Sequence, residues 1–428
     1  MTAAGGPLLS ADEQSMLGGD RGPAVAMAMR LVVGVARAAG EPRLLEIDSA
    51  HIDGCLYHGR AGLDFAERLA ELGGSVAVRA TLNVGSLDLL HPGLVRADAE
   101  LRTAGRRLMD AYVALGCEPT WSCAPYQLSH RPAFGRHVAW AESNAIAFVN
   151  SVLGARTDRY GDFLDIAAAL TGRVPDAGLH RDEARRAELV LDCRACRPLL
   201  AADETAWAAL GALLGDLAGT RVAALTGLPG DLDDGGRTED RLKGLGATAA
   251  SAGGVALFHA VGITPEAPTL DAVTGPNTPS RTVTPADLMA ARERLTTARG
   301  DTLDAVSLGT PHFSVSEFAA LAEALADGSA FSDSVAVYVS TSRAVLAEAE
   351  RRGHVQPARD AGARILTDTC TYVTPVLAPG TRTVMTNSGK WAWYAPANLG
   401  IDVVLGSLED CVASARAGKV VRDDHAWR

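Results

Sequence analysis

GCEPTWSCAPYQLSHRPAFGRHVAWAESNAIAFVNSVLGARTDRYGDFLDIAAALTGRVPDAGLH, Gly116–His180, is the stretch around which the 428-residue chain is organised. It reads as a loop followed by two helical runs. Cys117 and Cys123 bracket a Pro and a Trp, and Pro125 follows, so this backbone is held in turns or extended segments. In AWAESNAIAFVNSVLGA, the residues Ala141, Ala145, Phe148, Val149 and Val152 recur at helical spacing. Glu142, Ser143, Asn144 and Asn150 sit among them. Polar groups in an apolar helix need partners from the protein, water or a ligand. Glu142, Ser143 and Asn144 also suit the capping of a helix N-terminus. Gly154 is placed to end the run. Arg156 and Arg159 beyond it suit an anionic ligand, although pairing with Asp158 explains them equally.

Working outward, the same rhythm recurs on both sides. Upstream, Arg43–Ile47 reads as a short buried strand, HIDGCLYHG (His51–Gly59) as a loop, Ala61–Leu72 as a helix and Ser75–Leu82 as the next strand, with Asn83 and Ser86 in the loop beyond. Downstream, Ser307 and Leu308 end a strand that delivers GTPH, Ile365 and Leu366 deliver TDTC, and Val384 and Met385 deliver TNSGK. Strand, polar loop and helix in alternation predict an α/β architecture, in which such loops converge on a ligand crevice. Ser10 and Glu13 form a capping-box pattern. Ala184–Leu214 reads as mostly helical, broken by LDCRACRP. Junctions are expected near 226–244, rich in Gly and Asp, and near 268–285. The small residues of ATAASAGGVALFH imply close contact between elements.

Composition narrows the function. Hydrophobic residues make up 47% and charged ones 21%, as in ordinary globular proteins. A net charge of −11 argues against a general nucleic-acid binder. No apolar run reaches the ~18 residues that span a bilayer. MTAAGGPLLSADEQ lacks the basic and apolar regions of a secretory signal. Seven cysteines without such a signal point to a reducing cytoplasm.

HIDGCLYHG, TLNVGSLDLLHP (Thr81–Pro92), the Gly116–His180 stretch, GITPEAPTL (Gly262–Leu270), GTPHFSVSEF (Gly309–Phe318), TDTCTYVTP (Thr367–Pro375) and TNSGKWAWYAP (Thr386–Pro396) occur in one order across nearly the whole chain. In that order they resemble the large subunit of aconitase X, a branch of the aconitase superfamily. The resemblance implies an aconitase-like multi-domain α/β fold with short parallel sheets flanked by helices, spanning 1–428 and lacking the small swivelling domain. A separate small subunit is therefore expected. It also implies a dehydratase that removes a proton next to a carboxylate and a β-hydroxyl. HIDGC, LNVGSLDL and GTPHFS look closer to the bacterial branch, which acts on cis-3-hydroxy-L-proline, than to the archaeal branch, which acts on mevalonate 5-phosphate. Arg79, Ala80 and Thr310 depart from the family pattern. They motivate one alternative, a diverged enzyme taking another β-hydroxy acid; a separate alternative is a non-catalytic binding protein.

The resemblance also assigns roles. Cys55, Cys123 and Cys370 lie on separate loops and are implied to hold an iron–sulfur cluster or a mononuclear iron. The alternative for each is a small buried hydrophobe. Cys193 and Cys196, the only Cys-x-x-Cys, lie outside the family motifs and read as structural. Lys390 is a candidate partner for a carboxylate or a base, and Ser388 a candidate base; the alternatives are an ordinary turn and a surface lysine. His51, which titrates near neutrality, and Asp53 are candidates for proton transfer or for orienting the leaving hydroxyl. Thr81, Asn83, Ser86, Glu142, Ser143, Asn144, Asn150, Arg156, His312 and Asn387 are the candidate substrate-binding groups.

Overall fold

The structure is a computed structural model that describes residues 6–427. The opening residues read for a signal segment thus lie partly outside the described residues. The chain divides into two compact units. The first comprises residues up to 87 and 97–185, and the second comprises 88–96 and 186 onward.

In the first unit, β1 (Leu44–Glu46) pairs antiparallel with β5 (Arg173–Pro175). β2 (Ser49–Ile52) forms the centre of a parallel sheet between β3 (Arg79–Leu82) and β4 (Ala139–Trp140). Every residue of β2 is buried, as expected of a parallel strand covered on both faces. The helix Pro23–Ala39 has Pro23 at its first turn and ends at Gly40, whose φ of 73° needs no Cβ. It packs on the helix Leu164–Thr171. The helix Arg60–Glu71 buries Leu63, Ala66 and Leu69 along one stripe. The stretch Gly116–His180 carries its two helical runs as Ser143–Ser151 and Leu164–Thr171. The first ends at Val152 rather than at Gly154.

In the second unit, β6 (Leu189–Asp192), β7 (Ala223–Thr226), β8 (Phe258–Ala260) and β9 (Ser280–Thr282) form a parallel sheet in the order β8-β7-β6-β9. β6 corrects the helical reading of Ala184–Leu214. A short apolar run at the centre of a parallel sheet shows no alternation to betray it. The helices Thr205–Ala218 and Arg237–Gly253 lie against each other with backbones in contact: a Cβ on Gly253 would sit 2.0 Å from the Gly215 carbonyl oxygen. The small residues of that region permit this approach.

The second sheet of this unit is parallel in the order β12-β11-β10-β13-β14: β10 (Ala305–Phe313), β11 (Ala336–Thr341), β12 (Arg364–Leu366), β13 (Thr383–Thr386) and β14 (Asp402–Leu405). The chain leaves β10 in one direction through β11 and β12, then returns to its other side through β13. The gap between the carboxyl ends of β10 and β13 is therefore a topological switch point, where α/β sheets bind ligands. Among the described residues no single helix is long and apolar enough to cross a membrane, although the bent pair Ala11–Gly18 and Pro23–Ala39 reaches that length and composition together.

Candidate active site

At the switch point the GTPH and TNSGK motifs meet. The helix Gly389–Leu399 starts at Ser388, whose Oγ accepts the Trp391 N–H at 3.0 Å and donates to the Thr310 carbonyl. Ser388 is thus a helix cap whose proton is committed to the backbone. Asn387, Ser388 and Thr310 line a cavity of about 800 Å³. Lys390, in the first turn, is buried at 3% exposure. The TDTC loop closes on the same strand ends: Ser307 Oγ lies 2.6 Å from Thr371 Oγ1, Trp391 Nε1 donates to Thr371 Oγ1 at 2.9 Å, and His312 Nε2 lies 3.1 Å from the Thr369 carbonyl. Burial lowers the His312 pKa to about 4, so the ring is neutral at pH 7.

Sequence reasoning missed the charged wall of this cavity. Lys243, on Arg237–Gly253, binds Asp240 at 3.0 Å and Glu317. Ser314 Oγ donates to Asp240 at 2.8 Å, and the Ser314 N–H donates to Glu317 at 2.7 Å. Arg241 pairs with Glu204 at 2.8 Å and Arg237 with the same carboxylate at 3.2 Å. All three cations are neutralised. The only sequence signal was the capping box Ser314–Glu317; Lys243 lies in a Gly- and Asp-rich stretch that reads as surface.

In the first unit the carboxyl ends of β3, β2 and β4 deliver Asn83, Asp53 and Glu142. Asn83 Nδ2 donates to Asp53 Oδ1. Burial, then Glu142 and Asp162, raise the Asp53 pKa to about 7. Asp165 fixes the loop behind it, accepting the Asp53 N–H at 2.7 Å and the Gly54 N–H at 3.3 Å. His51 Nδ1 lies 2.8 Å from Thr81 Oγ1, and its buried Nε2 has no hydrogen-bond partner among the described residues. Burial lowers its pKa to about 3. A neutral ring that donates from Nδ1 presents a proton-accepting lone pair at Nε2. The Tyr57 N–H donates to Ser86 Oγ at 2.8 Å.

Glu142 adopts φ 71°, a strained left-handed conformation for a non-glycine residue, and caps Ser143–Ser151 through the Ala145 N–H at 2.9 Å. Ser143 Oγ donates to Glu142 at 3.3 Å. Asn144 ties this cap to the cysteine loop, donating to the Cys123 carbonyl at 2.8 Å and accepting from the Tyr126 hydroxyl at 2.6 Å. Asn150 and Arg156 serve the protein itself. Asn150 Oδ1 accepts from Thr157 N at 3.0 Å and Arg185 Nη1 at 3.0 Å, while Arg156 holds the His180 carbonyl at 2.9 Å and pairs with Asp182.

All seven cysteines are buried free thiols, and among the described residues no group of three His, Cys, Asp or Glu side chains is placed to hold a metal. Cys55 and Cys123 belong to the first unit and Cys370 to the second. Three thiols are the right donor type for iron. Cys55 as placed does not fit a thiolate ligand. Its Sγ faces the carbonyls of Asn83 at 3.2 Å, Val84 at 3.5 Å and Ile52 at 3.6 Å, and burial followed by the charge of Asp53 pushes its pKa well up. Cys193 and Cys196 likewise face backbone carbonyls.

Three family profiles match in chain order: aconitase X first domain over 7–183, second domain over 187–293 and third domain over 303–417. The chain belongs to the aconitase X family. It is 42% identical over 99% of its length to the cis-3-hydroxy-L-proline dehydratase of Pseudomonas aeruginosa, spanning 72% of that protein. It is 36% identical to the phosphomevalonate dehydratase large subunit of Methanothermobacter thermautotrophicus, over 94% of this chain and 98% of that one. The crystal structure of holo-form aconitase X from Thermococcus kodakaraensis matches with a TM-score of 0.85 at 32% identity, over 95% of this chain and all of that one. The aconitase X fold, α/β with short parallel sheets flanked by helices, is therefore that of the whole chain.

Proposed function

We propose that this aconitase X chain is a hydro-lyase that dehydrates cis-3-hydroxy-L-proline. The C2 proton leaves to a base and the C3 hydroxyl departs as water, giving a pyrroline carboxylate. One observation of geometry weighs against a phosphorylated acid, which would bring a phosphate in addition to the carboxylate assigned below to Lys390: Arg237, Arg241 and Lys243, which line the switch-point cavity, are each paired with Glu204, Asp240 or Glu317. A phosphate would need unpaired cations there. The 42% identity to the Pseudomonas dehydratase supports the same choice.

Within the second unit, Lys390 is the candidate to balance the substrate carboxylate, and Asn387 to orient it. Ser388 would act as a base only after giving up its bond to Thr310. Within the first unit, Asp53 and the bare Nε2 of His51 are the candidates to hold or accept a proton. Family membership brings an iron–sulfur cluster or a single iron into consideration at Cys55, Cys123 and Cys370. Because Cys55 does not fit as placed, no step is assigned to such a group.

A separate small subunit remains our reading of the assembly. It is supported by the near-complete match to proteins named as large subunits. The test is turnover of cis-3-hydroxy-L-proline, with mevalonate 5-phosphate in parallel, with and without a small protein corresponding to the unmatched part of the Pseudomonas relative. Turnover of the amino acid alone is the expected result. Turnover of the phosphorylated acid instead would overturn the substrate choice.

A further inference from the structure

Thr310 is 5% exposed, and its Oγ1 has no hydrogen-bond partner among the described residues. A buried hydroxyl left unpaired costs on the order of 1–3 kcal/mol, so each such group asks for an explanation. The backbone around this hydroxyl is held from two sides. Residues 309–312 depart from the ladder between β10 and β11, whose register shifts between Leu308 and Phe313. Gly309, at φ 86°, is pressed against β11 so closely that a Cβ would stand 2.1 Å from the Ser340 carbonyl oxygen. The carbonyl of Thr310 is held from the other side by Ser388 Oγ. The residue is clamped at both ends of its peptide unit, and it lines the switch-point cavity beside Asn387 and Ser388. Bulges at strand ends commonly re-aim a side chain toward a site.

We propose that the Thr310 hydroxyl is a substrate-contacting group that hydrogen-bonds the small hydroxy acid in this cavity. The inference rests on the dehydratase reading above. It adds a specificity-determining residue that the motif roles did not include. A hydroxyl can give its proton to a carboxylate oxygen or accept one from an amine or alcohol, so any of the substrate's polar atoms satisfies it.

Thr310→Val removes the hydroxyl while keeping the β-branched shape, and Thr310→Ser keeps the hydroxyl. If Oγ1 meets substrate, Thr310→Val raises KM for cis-3-hydroxy-L-proline roughly 10-fold or more, as loss of one good hydrogen bond does. Thr310→Ser stays within about threefold of wild type. Thermal stability of the valine variant stays equal or rises, because an unpaired buried hydroxyl has been deleted. A structural role would instead lower the stability of the valine variant and leave KM in place, which overturns the inference. So does a KM equal to wild type in a stable variant. Wild-type protein that neither binds nor turns over the substrate, with the small subunit present, removes the dehydratase reading itself, and the inference with it. The two failures are separated by whether the wild type or only the variant comparison breaks.

Discussion

His180 has both ring nitrogens engaged: Nδ1 lies 3.0 Å from His137 Nδ1, and Nε2 meets the Tyr160 hydroxyl. Burial, then His137 and Arg185, lower its pKa to about 3. Unfolded, it titrates near 6.5. Between these values the unfolded chain binds more protons, so stability falls as pH drops from about 6.5 toward about 3, by up to about 1.4 kcal/mol per pH unit from this residue. Above about 6.5 it adds no slope. Urea unfolding at about pH 7, 6 and 5 checks this, with His180→Gln expected to flatten the acid limb. An unchanged limb in that variant would show the protonation cost to lie elsewhere. At this scale the sequence placed Asn83 and Ser86 correctly beyond a strand, whereas His51, Thr310 and His312, read as loop residues, lie within β2 and β10. His51 read as a residue titrating near neutrality, and burial makes it, like His312, neutral. Asn150 and Arg156 read as ligand groups because their partners, Thr157, Arg185, His180 and Asp182, are brought in only by the fold. Thr310 was visible only as a departure from a family pattern. Its unpaired hydroxyl is a property of the packed bulge.

The helix Arg237–Gly253 carries its own experiment. A Cβ on Gly253 would meet the Gly215 carbonyl at 2.0 Å, whereas one on Gly244 meets nothing within 4 Å. Gly253→Ala must therefore push two helices apart, at an expected cost of about 2 kcal/mol or more. Gly244→Ala gains helix propensity and is expected to stabilise by up to about 1 kcal/mol. Equilibrium denaturation of both variants tests the pair; equal effects would mean that the helix contact yields freely. This contact was legible in outline, since a run of Gly, Ala and Ser only makes sense where backbones approach. Other elements were less so. The stretch 75–82 read as one strand, yet only Arg79–Leu82 joins a ladder. The Val76 and Ala77 N–H groups go instead to the carbonyls of Leu115 and Ala169, partners that no local pattern names. β6 was missed because a buried strand of four residues has no period to read.

For the whole chain, the least local feature is the strap 88–96, which leaves the first unit's sequence to join the second. Nothing in TLNVGSLDLLHP announces this, because the motif reads as one loop after one strand. Asp88, fully buried, organises the strap. Its Oδ1 accepts the Leu90 N–H at 2.9 Å, the His91 N–H at 2.7 Å and the Thr367 hydroxyl at 3.0 Å, and its Oδ2 accepts the Thr367 N–H at 2.9 Å. Asp368 reciprocates by accepting the Leu89 N–H at 3.0 Å. The strap thus holds the start of the loop that carries Cys370. Asp88→Asn conserves shape but turns one oxygen into a donor. With Oδ1 kept as the acceptor, the new amide faces the Thr367 N–H, donor against donor. A charge-assisted bond is lost and a buried N–H is left unpaired, so the variant is expected to lose at least about 1.5–3 kcal/mol of stability. Hydrogen exchange should show the Thr367 amide losing protection more than amides in β7 or β8 of the same unit. Uniform loss across the second unit would mean that the strap supports the unit as a whole. A change below about 0.5 kcal/mol, within the range of an ordinary surface substitution, would mean that the segment merely lies against it.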